Sequence, residues 1–201
     1  MSNPRPSSFF FLSRAGPCAA IFLVTFFGPD AAADQDLWAA LDDGGKVVLM
    51  RHAPVEAGAG AGDPRVRDPS CRGERNLSVR GRRQAREIGN RFAEHQISVS
   101  EVLHSPFCRT AETAKLAFGR AAPADYLSLL EILEPGEAER QTVELSRVIG
   151  SYTGTANLIL VTHEPNINAV SFELVKHLDM VILEPKGSKN FDELGVIRFL
   201  E

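Results

Sequence analysis

Short apolar runs alternate with segments of helical period, and this constrains the fold more than any other feature of the chain. Lys46–Met50 (KVVLM) and Leu158–Thr162 (LILVT) are almost wholly apolar, as expected of strands covered on both faces, and Glu101–His104 (EVLH) reads as a further strand. Between them, Ser78 can cap a helix running to about His95 that aligns Ala85, Ile88 and Phe92 on one face. Pro106 opens and Gly119 closes a helix over Phe107–Gly119. Glu137–Tyr152 aligns Leu145, Val148, Ile149 and Tyr152, and Asn166–His177 reads as the helix after the third strand. A short helix, Asp36–Leu41, stops at Gly44–Gly45, and Met180–Leu183 and Gly195–Phe199 close the chain as strands. The order predicts an α/β fold, a three-layer α/β/α sandwich with a largely parallel central sheet. Ligands of such sheets bind beyond the carboxyl ends of the strands.

The first 33 residues read differently. Arg5 and Arg14 precede the apolar run Cys18–Phe27, Gly28–Pro29 break it, and Ala31–Ala33 offer small residues before Asp34. This is the pattern of a secretory signal peptide over residues 1–33, passed by the export machinery and cleaved, leaving residues 34–201 as one domain. The run is short for a membrane span, so a retained anchor is the weaker reading. The expected location is periplasmic or secreted. In that oxidising setting Cys71 and Cys108, the two cysteines of the mature chain, are expected to pair, for about 4 kcal/mol by loop closure. With 44% hydrophobic and 24% charged residues in 201, the chain can bury a core and is not disordered. A net charge of -4 argues against a nucleic-acid partner. No paired Cys/His spacing suggests a metal.

The strand ends carry the chemistry. The first ends in Arg51–His52, the second in His104–Ser105–Pro106 with Arg109 just beyond, and the third in His163. Two histidines and two arginines thus converge on one edge of the sheet. Guanidinium groups bind phosphoryl oxygens bidentately and stay charged. Neighbouring cations keep an imidazole neutral and nucleophilic. A histidine nucleophile can split phosphate-ester hydrolysis into two steps through a phosphohistidine, and no cofactor or metal is expected.

Four segments are similar to the histidine phosphatase superfamily in its phosphoglycerate-mutase-like branch: Val47–Ala53 (VVLMRHA), Asn76–Gly81 (NLSVRG), Val102–Ala114 (VLHSPFCRTAETA) and Leu158–Asn166 (LILVTHEPN). They occur in the family's order. The resemblance implies that His52 is the phosphorylated nucleophile and that Arg51, Arg109 and His163 hold the phosphoryl group, with Ser105 at the matching position beside them. It also implies a mixed sheet flanked by helices. Ala53 stands where the family usually has glycine. The family's proton donor is commonly a glutamate in the irregular stretch after the Arg-Thr helix. Glu131 is best placed, with Glu134, Glu137 and Glu164 as competitors.

The expected activity is that of an exported phosphomonoesterase acting on a small-molecule or glycolipid phosphate, such as the heptose phosphate of lipopolysaccharide core. A phosphohistidine phosphatase and an inactive anion-binding module of the same fold are the alternatives. His104 reads as a packed neighbour or helper. His95 and His177, near expected helix C-termini, read as structural. Arg80, Arg82, Arg83, Arg86 and Arg91 read as a solvated helix face. Arg65, Arg67, Arg72 and Arg75 follow the nucleophile in a polar loop, Ala53 to Asn76, where one or more can reach an anionic substrate.

Overall fold

The computed structural model describes Met1 and residues 29–199. The expected signal peptide therefore lies almost wholly outside the described residues. Its last residues fall in α1 (Pro29–Asp42), which begins earlier than the expected helix and runs through the expected cleavage position. After α1 come β1 (Val47–Arg51), α2 (Val79–Glu94), β2 (Val99–His104), α3 (Cys108–Phe118) and β3 (Ala122–Pro123). Two single 3₁₀ turns, Asp125–Leu127 and Leu130–Ile132, lead into α4 (Pro135–Ser151), β4 (Asn157–Thr162), α5 (Glu164–Ser171), β5 (Met180–Pro185) and β6 (Phe191–Ile197).

The strands form one sheet in the order β3-β2-β4-β1-β5-β6. The first four are mutually parallel, while β5 runs antiparallel to β1, and β6 antiparallel to β5. Strand alternation divides the core. Val48, Met50, Ile159 and Val161 face α1 and α2, packing with Leu37, Trp38, Ile88 and Phe92. Val47, Leu49, Leu158 and Leu160 face α4 and α5, packing with Leu145, Ile149 and Ile167. These are the three layers read from the sequence. Each such side chain is worth about 1.5–3 kcal/mol when fully removed from water. Among the described residues, no helix is long and apolar enough to cross a membrane.

One helix differs from expectation. α5 stops at Ser171, because Phe172 adopts φ 58° and leaves the helical path, and residues 172–179 then cross to the start of β5. His177 is therefore not at a helix C-terminus. His95 is, as the C-cap of α2, and its ring stacks on Trp38 with centroids 4.3 Å apart.

The start of α2 fixes the loop behind the nucleophile. Ser78 is the N-cap, its hydroxyl accepting from the Gly81 N–H at 2.9 Å, and the Pro54 carbonyl accepts from the Ser78 N–H at 3.0 Å. A Cβ on Gly81 would overlap that carbonyl oxygen. Gly81→Ala is therefore expected to cost about 1–3 kcal/mol by overpacking against backbone, lowering the melting temperature by several degrees. An unchanged melting temperature would show that the Pro54 turn yields freely.

Candidate active site

The parallel register brings three strand ends level. Arg51 pairs with Thr162 and His104 with Val161. The ladder continues one residue further, with His52 N–H donating to Thr162 O at 3.0 Å and Ser105 N–H to Val161 O at 3.0 Å. His52, Ser105 and His163 thus emerge side by side. Arg51, His52, Arg109, His163, Glu131 and Glu164 line one cleft of about 290 Å³. A larger groove, about 1060 Å³, contains none of these six and runs along α3 past the Cys71–Cys108 disulfide.

His52 is 7% exposed. Its Nδ1 lies 2.8 Å from the Ala53 carbonyl, which can only accept, so Nδ1 carries the proton and Nε2 keeps its lone pair. Burial first, then the Arg109 charge, hold its pKa well below the ordinary imidazole value, with His177 and Arg51 adding to the effect. It is neutral at physiological pH. Ala53 is buried and outside the left-handed region, so its Cβ adds no backbone strain where the family has glycine. Its N–H donates to Thr113 Oγ1 at 3.0 Å, and that hydroxyl donates to Arg109 O at 2.7 Å, tying the nucleophile loop to α3.

Arg109 is 3% exposed. Its Nη2 donates to Pro64 O at 3.0 Å and to His163 Nδ1 at 3.2 Å, and its guanidinium lies over the Phe107 ring at 4.4 Å. Desolvation lowers its pKa to about 10, which leaves it charged at neutral pH. Nη1 is buried with no hydrogen-bond partner among the described residues, and so is Arg51 Nε. Buried guanidinium N–H groups without partners are costly unless an anion completes them. Arg51 Nη1 is held by Val175 O at 2.6 Å and by Glu164 at 3.3 Å.

His163 accepts from Arg109 at Nδ1, so its Nε2 carries the proton and donates to Ser105 Oγ at 2.8 Å. Both ring nitrogens are thus engaged by protein. Burial, followed by His52 and the two arginines, keeps this ring neutral as well.

Of the four candidate carboxylates, the structure brings Glu131 and Glu164 to the cleft. Glu131 sits at its exposed rim, 3.8 Å from Arg65 Nε. Glu134 is the N-cap of α4 and Glu137 lies in its first turn, neither on the cleft wall. Of the loop arginines, Arg75 lines the cleft and Arg65 reaches it through Glu131, while Arg67 faces the larger groove. His104 turns its Nδ1 to Ser105 O at 2.7 Å and stays off the cleft wall.

The cleft also holds His177, 5.3 Å from His52 between ring centroids. It was expected to be structural. The signal for it was its place just ahead of a strand that turns out antiparallel. Buried Glu74 is a further residue the sequence did not single out. Its carboxylate accepts from the Asp68 N–H at 3.0 Å and from the Cys108 N–H at 2.8 Å, docking the polar loop on α3. The disulfide between Cys71 and Cys108, with Cα atoms 5.8 Å apart, fastens the same junction one residue from Arg109. Among the described residues, no group of three or more His, Cys, Asp or Glu is arranged to hold a metal ion.

The sequence profile of the histidine phosphatase superfamily (branch 1) matches residues 47–148, half of the chain. The chain belongs to the histidine phosphatase superfamily. The matched stretch contains Arg51, His52, Ser105, Arg109 and Glu131, while His163, Glu164 and His177 lie beyond it. No curated protein matches the sequence. Solved structures of the same fold do. The protein histidine phosphatase SixA, complexed with tungstate, is 18% identical over 76% of this chain and 96% of its own, with a TM-score of 0.52. Phosphoserine phosphatase of Entamoeba histolytica, in complex with 3-phosphoglyceric acid, is 11% identical over 77% and 97%, with a TM-score of 0.54. YhfR of Bacillus stearothermophilus is 13% identical over 75% and 95%, with a TM-score of 0.55. At such identities the family member shares the fold with these proteins, and its own cleft must argue its chemistry.

Proposed function

We propose that this protein is a phosphomonoester hydrolase that works through a phosphohistidine on His52. One observation carries the reading: a buried, neutral His52 with Nε2 free shares a small cleft with Arg109, whose buried Nη1 lacks a partner. A phosphoryl oxygen supplies that partner. In the first step Nε2 attacks phosphorus, the bond to the alcohol oxygen breaks, and that oxygen takes a proton from Glu131. In the second, water attacks phosphorus, the Nε2–P bond returns its electron pair to the ring, and the water proton passes to the Glu131 carboxylate. Arg51, Arg109 and His163 hold the phosphoryl oxygens. His163 keeps the Arg109 guanidinium and the Ser105 hydroxyl in place beside them.

For the substrate we infer a cell-envelope sugar phosphate such as lipopolysaccharide core heptose phosphate. Support comes from the export pattern of residues 1–33 and from Arg65 and Arg75 near the rim, suited to further anionic groups. The likeness to SixA favours a second reading, a phosphohistidine phosphatase. Dephosphorylation of core glycolipid and of a phosphohistidine peptide by the purified protein, with chelator present, separates the two. Chelator-resistant release of phosphate from the glycolipid is the expected result. Release from the peptide alone would transfer the assignment, and release from neither substrate nor an aryl phosphate would leave only an anion-binding module.

The pH dependence follows from His52. Attack needs the neutral ring, and its pKa is lowered, so the acid-side loss of kcat/KM should begin below the ordinary imidazole range. Stability falls with acid as well, but from a higher pH. Below a pH of about 6.5, the unfolded chain binds protons that folded His52 and His163 resist, so stability is full above that pH and falls with acidification. A kcat/KM profile that breaks near 6.5 would contradict the buried, cation-flanked placement of His52.

A further inference from the structure

The polar loop between β1 and α2 forms one wall of the cleft, to which it contributes Pro64 and Arg75. The loop is braced within itself. Asp63 and Glu74 form a bridge, the Asp68 carboxylate accepts from the Ser70 and Gly73 N–H groups, and the Asn76 amide donates to Cys71 O at 2.6 Å. Beyond residue 60 its ties to α3 converge on the first turn of that helix. Glu74, 2% exposed, accepts from the Cys108 N–H, Pro64 O accepts from Arg109 Nη2, and Cys71 is bonded to Cys108. Cys71 adopts φ 62°, a left-handed conformation that a residue other than glycine keeps only where its surroundings dictate it. The bond to Cys108 thus helps to hold a backbone that relaxes when released. The consequence falls on Arg109. A guanidinium is planar and rigid, so the anchors on one nitrogen set where the other N–H groups lie. Arg109 Nη2 is fixed between Pro64 O at 3.0 Å and His163 Nδ1 at 3.2 Å, which leaves the unpartnered Nη1 for the phosphoryl group. One of these two anchors rides on the loop.

We propose that the Cys71–Cys108 disulfide is a positioning element of the active site: it holds Pro64 O against Arg109, so that its reduction misplaces the guanidinium and lowers turnover in a chain that stays folded. The inference rests on the reading of Arg109 as a residue that holds the phosphoryl group. Neither cysteine belongs to the apolar packing on either face of the sheet, so the core survives the loss of the bond. Both are half-buried and line the larger groove, where a small dithiol reaches them without entering the cleft. A thiolate of the dithiol attacks one sulfur and displaces the other as a thiolate. The second thiol of the reagent then resolves the mixed disulfide, and the reagent leaves as a cyclic disulfide. Two cysteine thiols replace the bond, with both electrons and both protons supplied by the dithiol. A donor displaced by about 1 Å costs up to about 100-fold in rate. Because the transition state concentrates charge on the oxygens that Arg109 holds, the loss falls on kcat more than on KM.

The test uses the full chain carrying Cys18→Ser, which leaves the pair as its only cysteines. Turnover of an aryl phosphate and its inhibition by tungstate are measured before and after dithiothreitol, with excess reagent removed, at a temperature where circular dichroism shows the reduced chain folded. Reduction should lower kcat about 10- to 100-fold and weaken tungstate inhibition comparably, with KM changed less than about threefold. Cys71→Ser combined with Cys108→Ser should match the reduced form, and oxidised glutathione should restore the reduced form but not the double variant. In Arg109→Met the residue that the bond positions is gone, so reduction should change the residual kcat less than about threefold. An equal loss in Arg109→Met would make the bond a general brace and overturn the proposal. So would unchanged kcat and tungstate inhibition in the reduced chain, or a reduced chain unfolded at every assay temperature. Turnover that persists in His52→Ala and still falls on reduction overturns the phosphohistidine reading and leaves the role of the disulfide standing.

Discussion

His52→Ala is expected to abolish turnover, by at least about 10⁴-fold, which corresponds to roughly 5.5 kcal/mol in the activation barrier. Neither His163 nor the two arginines can take over the covalent step. Both nitrogens of His163 are engaged, and Arg51 and Arg109 are cations without a lone pair to offer. Binding should survive, because the orphaned N–H groups that receive the phosphoryl oxygens belong to the two arginines. Calorimetry with tungstate should therefore give affinities within about tenfold of wild type, while alkali-stable phosphoenzyme disappears. His52→Gln should behave alike, which guards against an Ala-specific packing defect. Residual turnover in both variants would mean that another group is the nucleophile.

Arg109→Met should lower kcat by about 10²–10³-fold, yet leave the melting temperature close to that of the wild type. Two opposing effects decide the stability. The substitution removes hydrogen bonds to Pro64 O and His163, each worth about 1–3 kcal/mol when the donor is charged. It also removes a buried charge whose desolvation lowers its pKa to about 10 and whose Nη1 has no partner among the described residues, a comparable penalty of several kcal/mol. Methionine refills the space above the Phe107 ring. The same loss of charge beside His52 should raise that ring's pKa, moving the acid limb of the residual activity upward. A melting temperature lowered by more than about 5 °C would show that Arg109 is chiefly a structural residue, since one kcal/mol shifts a chain of this size by about 2–4 °C.

Local signals carried far in this chain. Ser78 and Gly119 are the caps they were read to be, and Ala85, Ile88 and Phe92 are buried along α2. Arg51, His52, Ser105, Arg109 and His163 meet where the strand-end rule put them, and the pairing of Cys71 with Cys108 is present. Each of these follows from a neighbour within one element or from a strand direction. The reach of α5 was misread because the turn at Phe172 is imposed by crossing to β5 rather than by a glycine or proline. Among the acid candidates, spacing alone could not separate Glu131 from Glu134 and Glu137. The first lies on the second 3₁₀ turn and lines the cleft, and the others begin α4 off the cleft wall.

By itself, then, the sequence determined the three layers, the parallel half of the sheet and the group of basic side chains at its edge, because apolar period and strand ends are local properties. Only the tertiary structure decided which way β5 runs. Its antiparallel pairing with β1 brings the beginning of the strand, and with it His177, to the edge where the parallel strands finish. Tertiary packing also decided that His163 spends both nitrogens on protein and that Arg109 keeps an N–H in reserve. Hydrogen-bond satisfaction depends on partners far apart in the chain, and no local pattern records it.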